Sequence, residues 1–242
     1  MLQGVQVSRR FGGLRALTNL DFSVEKGQIV GLIGPNGSGK TTLFNVITGF
    51  YPADSGTVIF KGRDITRSKP YEIARLGLAR TFQIVRPLMG LTVLDNVTTA
   101  VLYGRENIKS MARGRERALE ILKFLRLEEK KDVPAVSLVA AEKKRLELAR
   151  ALAINPELLL LDEVFSGLND REIQDSVKLI FRIRDELGIT IFLVEHVMKA
   201  VMGTCEKICV IQYGMKLAEG TPEELARNQT VIEAYLGKKR SC

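Results

Sequence analysis

Hydrophobic and polar positions change rhythm along this chain, and each rhythm predicts an element. Val5-Gln6-Val7 and Leu20-Asp21-Phe22-Ser23-Val24 alternate with period two, the mark of half-buried strands. Arg10-Phe11-Gly12-Gly13 between them supplies a glycine turn, so the first stretch predicts an antiparallel hairpin. Lys26-Gly27 then turns into Gln28–Ile33, a central strand. The breaker-rich Gly49–Gly56 reads as a loop, Thr57–Phe60 as a strand, and Pro70 opens a short helix running through Leu76. Gly77–Gln83 returns as an extended segment towards the core. From Thr92 the period becomes helical. Leu91, Val93, Leu94, Val97, Val101 and Leu102 form one apolar stripe, and Ala118, Leu119, Ile121, Leu122 and Leu125 form another.

These helices interrupt the strand–helix alternation and predict a helical sub-domain from about Ile84 to Glu142. A third helix, about Ala140 to Ala153, re-enters the core. Leu158–Leu161 and Thr190–Val194 are continuous apolar runs, as parallel strands buried on both faces require. Between them lies a charged amphipathic helix, Asp170 to Leu187, stopped by Gly188. Lys207–Gln212 and Met215–Glu219 read as strands about a Tyr213-Gly214 turn, and a short helix follows Thr221-Pro222. The whole predicts one α/β domain over residues 1–242: a mostly parallel core sheet, an antiparallel β sub-domain and a helical sub-domain.

The chemistry concentrates where strands end. Ile29–Ile33 runs into Gly34-Pro35-Asn36-Gly37-Ser38-Gly39-Lys40-Thr41-Thr42 and then into a helix-compatible segment. That is a phosphate-binding loop in its strand–loop–helix context. Its glycines let successive N–H groups face phosphate oxygens, and the helix adds its positive end. Lys40 suits the β- and γ-phosphates of a nucleoside triphosphate, and the Thr41 hydroxyl suits Mg²⁺. Leu158–Leu161 ends in Asp162-Glu163, carboxylates placed to hold Mg²⁺ through water (Asp162) and to polarise an attacking water (Glu163). His196, the single histidine, also follows a strand, where it can reach a γ-phosphate. Phe11 either stacks on a base or packs under the hairpin.

Composition narrows the partners. A chain of 242 residues carries a formal net charge of +8, compatible with nucleotide, nucleic acid or anionic lipid. The basic excess between Arg105 and Lys131, nine cations against five acids, alternates in sign and has no aromatics interleaved for base stacking beyond the single Phe124, so specific nucleic-acid binding is not expected. No apolar run approaches the ~20 residues that cross a bilayer, and the N-terminus does not have a signal-peptide layout. Any membrane role is expected to come through a partner. Cys205, Cys209 and Cys242 show no paired framework, which suits a reducing cytosol, and the first two read as buried thiols.

These pieces in this order resemble the ATP-binding subunits of ABC transporters over nearly the whole chain. Gly34–Thr41 is similar to the Walker A motif, Gln83 to the Q-loop, and Leu158–Glu163 to Walker B with its catalytic Glu. Ser166-Gly167-Leu168-Asn169 matches the D-loop, His196 the switch histidine and Phe11 the adenine-stacking aromatic. The resemblance is closest to the ATPases of branched-chain amino-acid importers, through Arg10–Leu14, Ala79–Gln83, Arg145–Leu152, Glu195–Met198 and Val231–Gly237.

It implies a P-loop NTPase fold, an ATPase with ATP and Mg²⁺ as cofactors, and catalysis by Lys40, Glu163 and His196. ATP contacts would come from Phe11, Ala16, Gly34, Pro35, Asn36, Gly37, Ser38, Gly39, Lys40, Thr41, Thr42 and Gln83; the metal would be held by Thr41, Gln83 and Asp162. The implied partners are a second ABC ATPase subunit in a heterodimer, two transmembrane permease subunits and, indirectly, a solute-binding protein. The implied place is peripheral, on the cytoplasmic face of the inner or plasma membrane. An ATPase of a lipid or lipopolysaccharide exporter, or a non-transport ABC ATPase, is the alternative.

The departures lie in the signature, where Leu-Ser-Gly-Gly-Gln becomes Leu138-Val139-Ala140-Ala141-Glu142, and in Val164 and Asn169, which stand where Pro and Asp are usual.

Overall fold

The computed structural model describes residues 1–82 and 87–236. The N-terminal alternation becomes two long antiparallel strands, β1 (Leu2–Phe11) and β2 (Leu14–Val24), joined at Gly12 and Gly13. They extend well past the period-two runs because bulges break the alternation without ending the pairing, with register shifts between Gly4 and Val7 and again before Arg9. β3 (Ile29–Ile33) leaves this region for a second sheet, while β4 (Ser55–Phe60) and β5 (Arg63–Asp64) complete the first, in the order β2-β1-β4-β5.

The second sheet has the order β10-β9-β3-β8-β7-β6. Here β6 is Leu78–Arg80, β7 Leu158–Asp162, β8 Thr190–Val194, β9 Lys207–Gln212 and β10 Met215–Gly220. β6, β7, β8, β3 and β9 pair in parallel, and only β10 runs antiparallel, on the edge. Every residue of β3, β7 and β8 is buried, which accounts for their unbroken apolar runs. Their C-terminal ends stand side by side, the crevice where open α/β sheets bind ligands. Of the extended segment expected over Gly77–Gln83, Leu78–Arg80 forms the strand, and Thr81 N–H prolongs the contact by donating to the Leu160 carbonyl at 2.9 Å. Gln83 lies outside the described residues.

Helix α1 (Lys40–Ile47) packs between the two sheets, with Phe44 5.3 Å from Phe192 and Phe192 6.1 Å from Phe22 between ring centroids. After α2 (Pro70–Arg75) come α3 (Val93–Leu102) and α4 (Met111–Phe124), whose N-caps Thr92 and Ser110 accept from Asp95 N–H and Arg113 N–H. α5 (Ala140–Ala153) packs against both α3 and α4 as well as approaching β6, so the helix expected to re-enter the core also forms part of the helical layer. Its Leu146, Ala149 and Leu152 join Val97, Val101, Leu122 and the sheet residues Leu159 and Leu161 in one continuous core.

α6 (Asp170–Leu187) starts on an Asn169 cap and stops at Gly188, whose φ of 67° favours glycine. α7 (Met198–Thr204), α8 (Pro222–Ala226) and α9 (Gln229–Leu236) close the described chain. Among the described residues no helix is long and apolar enough to cross a membrane. Cys205 and Cys209 are buried, and burial pushes both thiols up to about 12.

Candidate active site

The loop after β3 is built by close backbone approach. A Cβ on Gly34 would sit 2.1 Å from the Ile211 carbonyl oxygen and 2.5 Å from Ser38 Oγ. Gly39, at φ 108°, passes so near the Ala16 carbonyl that a Cβ would lie 2.5 Å from it. Only glycine serves at these two positions. Gly39 also opens α1 without a side-chain cap, and the first turn holds no acid. The free N–H groups of that turn are therefore directed at the cleft, a ready anion site. The buried Ser38 hydroxyl has no protein hydrogen-bond partner.

Lys40 Nζ donates to the carbonyls of Gly34 (2.8 Å) and Pro35 (3.1 Å), which holds the ammonium across the mouth of the loop. Burial pulls its pKa below the ordinary lysine value, and the charges of Glu163 and Asp162 work against that shift.

A cleft of about 910 Å³ gathers Phe11, Ala16, Gly34 to Thr42, Glu163 and His196 on one surface. Phe11 is 38 % exposed, edge-on to Tyr51 with centroids 5.1 Å apart and with the Arg9 guanidinium 4.9 Å over its ring. Its ring is thus part of the cleft wall and not a hairpin core residue. Thr41 lies in the first turn of α1, exposed to the same cleft. Arg15 and Tyr213 also line it, and sequence reasoning passed over both. Tyr213 read as an ordinary turn residue, but its turn is anchored here: Gly214 N–H donates to Ser38 O at 2.9 Å, and Gly214 O accepts from Thr18 N–H at 2.8 Å.

The acids behave differently from one another. Glu163 faces the cleft from a left-handed backbone, φ 50°, unusual for a residue with a Cβ. Asp162 is buried at the end of β7 and bonded to Arg80 at 2.6 Å between Oδ2 and Nη2. Arg80 in turn donates to Asn45 Oδ1 at 2.6 Å, with Phe44 and Phe82 flanking its guanidinium at 5.5 and 5.0 Å. No local pattern in the sequence announces the pairing of Arg80 with Asp162. Glu147, three residues along α5 from Lys144, accepts Phe82 N–H at 2.6 Å, and burial pushes its carboxyl up to about 7. His196 is half exposed at the end of β8.

A glycine phosphate loop facing a strand-end carboxylate on a mostly parallel sheet defines a P-loop nucleoside triphosphatase. Residues 17–166 match the family model of ABC transporters, and 215–240 match that of the branched-chain amino acid ATP-binding cassette transporter. The chain belongs to the ATP-binding subunits of ABC transporters, which bind and hydrolyse ATP.

It is similar to a probable branched-chain amino acid transport ATP-binding protein LivG of Archaeoglobus fulgidus, 40 % identical over all of this chain and 97 % of that one. A high-affinity branched-chain amino acid transport ATP-binding protein LivG of Salmonella typhimurium is 40 % identical over 95 % of this chain and 94 % of its own length. The crystal structure of an ABC-transporter ATP-binding cassette in its ADP conformation superposes with a TM-score of 0.89 at 33 % identity, over 98 % of this chain and 99 % of that one.

Proposed function

We propose that this chain is the ATP-hydrolysing subunit of an importer for branched-chain amino acids or related solutes, seated on the cytoplasmic face of the membrane beside two permease subunits. The observation that carries the chemistry is the single cleft shared by the phosphate loop, Glu163 and His196. The full-length similarity to branched-chain transport ATP-binding proteins supports the solute class.

In this reading Phe11 stacks on adenine, with Ala16 alongside. The loop N–H groups and Lys40 hold the phosphates, Glu163 polarises the attacking water, and His196 contacts the γ-phosphate. The oxygen donors Thr41 and Asp162, with Gln83 beyond the described residues, suit Mg²⁺. That ion would supply charge neutralisation between the β- and γ-phosphates. Closure of two nucleotide subunits on ATP then drives the permeases between their inward- and outward-facing states. Co-expressed with its permeases, the chain should purify in complex with them, and solute-loaded binding protein should stimulate ATP hydrolysis by that complex. A chain that never associates with membrane subunits would overturn the transport assignment.

The partner ATPase is proposed to be a different chain. Sites of this family are composite, with the phosphate loop of one subunit facing the signature of the other. Here the residue at the N-cap of the signature helix α5 is Val139, which is 63 % exposed and offers no side-chain oxygen. Its only cap is the reverse half of a capping box, Val139 N–H donating to Glu142 Oε2 at 3.1 Å. A serine in that place would present a hydroxyl to the partner's nucleotide, and a charge-assisted bond of this kind is worth about 1.5–3 kcal/mol. Val139→Ser with Ala141→Gly should therefore raise ATPase activity of the assembled complex by roughly tenfold at the site it completes. Unchanged activity would remove the case for an asymmetric pair.

A further inference from the structure

One buried carboxylate is unused by the chemistry described so far. Glu195, the residue after β8, is fully buried, although burying a carboxylate is costly and a strand end does not need one. Its Oε1 accepts Phe165 N–H at 2.7 Å and its Oε2 accepts His196 N–H at 3.1 Å. Its own N–H donates to the Leu32 carbonyl at 3.4 Å, just before the phosphate loop. Burial pushes the carboxyl above the usual carboxylate range, and the N–H groups of Phe165, His196 and Val197 oppose that shift.

The segment that Glu195 grips is the one leaving Glu163. A second side chain holds the same segment: Lys144 of α5, whose ammonium also feels the charge of Glu195, donates to the carbonyls of Val164 (3.3 Å) and Ser166. Val164 O, Phe165 N–H and Ser166 O are thus held in succession, immediately after a glutamate whose φ of 50° is sterically unfavourable. Such a backbone persists only where its surroundings over-determine it. Val164 does not fix its own φ as a proline would, so the conformation here depends on these bonds.

We infer that Glu195 is a positioning residue for hydrolysis: its two oxygens lock the exit of β7, which carries Glu163, to the exit of β8, which carries His196, with Lys144 as the second arm of the clamp. The inference rests on the reading of Glu163 as the group that polarises water. Displacement of a reacting group by about 1 Å costs up to ~100-fold in rate while leaving ground-state binding intact. The clamp touches neither Phe11 nor the phosphate loop side chains, so its loss should appear in kcat and not in KM.

The test uses the assembled transporter. Glu195→Gln keeps the size of the side chain but can accept only one of the two N–H groups; Glu195→Ala accepts neither. kcat should fall about tenfold in the first and further in the second, with KM for ATP and nucleotide affinity within twofold of the parent. Lys144→Met should also lower kcat. Its combination with Glu195→Gln should cost less than the product of the single losses, because both act on one segment. Should Glu195→Ala fail to fold, Glu195→Gln and Lys144→Met decide the matter. Unchanged kcat in a folded Glu195→Gln, a loss confined to KM, or losses that multiply would each overturn the clamp. Glu163→Gln serves as the reference: if it keeps full turnover, the reading of Glu163 falls; if it is inactive and Glu195→Gln is not slowed, the clamp alone falls.

Discussion

Glu163→Gln should bind ATP within a few-fold of the parent and hydrolyse it at least a hundredfold more slowly, the range expected when a positioned general base is removed. The glutamine keeps the volume and reach of the side chain in the cleft, so Phe11 and the loop N–H groups should keep their places. What it loses is the ability to take a proton. Glu163 also contributes negative charge close to Lys40, one of the two charges that act on that ammonium. Removing it relieves repulsion towards a triphosphate, so affinity should hold or rise. Equilibrium binding of a fluorescent ATP analogue and phosphate release by the assembled complex measure the two halves separately. Near-parental phosphate release would show that another group serves as the base, and weakened binding would show that Glu163 shapes the loop.

Arg80→Met should be the most destabilising exchange near the site. The guanidinium is bonded to Asp162 and Asn45 at 2.6 Å each, and both members of the ion pair have side chains 5 % exposed or less. Methionine fills much of the space between Phe44 and Phe82 but leaves a buried carboxylate without its counter-charge, a loss of about 3–5 kcal/mol. For a chain of this size that corresponds to a fall in Tm on the order of 10 °C. Adding Asp162→Asn should recover most of the loss, since the stranded charge disappears with it. Urea unfolding followed by circular dichroism reads both steps. A loss below about 1 kcal/mol in the single variant would mean that the pair contributes little more than an exposed one.

Both predictions depend on contacts of different sequence range, and that difference separates what could be read early from what could not. Gly34 to Thr42 is a contiguous device whose glycine positions follow from backbone sterics, so its conformation was foreseeable from residue types alone. Leu158–Asp162 and Thr190–Val194 could be recognised because a parallel strand buried on both faces has to be apolar at every position. The same logic placed Glu163 and His196 at strand ends beside the loop. Bulges hide the periodicity of the N-terminal strands, so their full length is not legible in the sequence, and a single apolar stripe does not reveal that the third helix packs on both the sheet and its helical neighbours.

The residue types and their local rhythm were enough to establish a nucleoside triphosphatase core, the phosphate loop, and the strand-end acids and histidine, since each depends on a few neighbours along the chain. The pairing of Arg80 with Asp162, 82 positions apart, and of Glu195 with the Phe165 amide, 30 positions apart, came only from the packed structure. Charged residues are solvated by default, and only the parallel register of β6, β7 and β8, together with their burial, turns these particular ones into bonded partners.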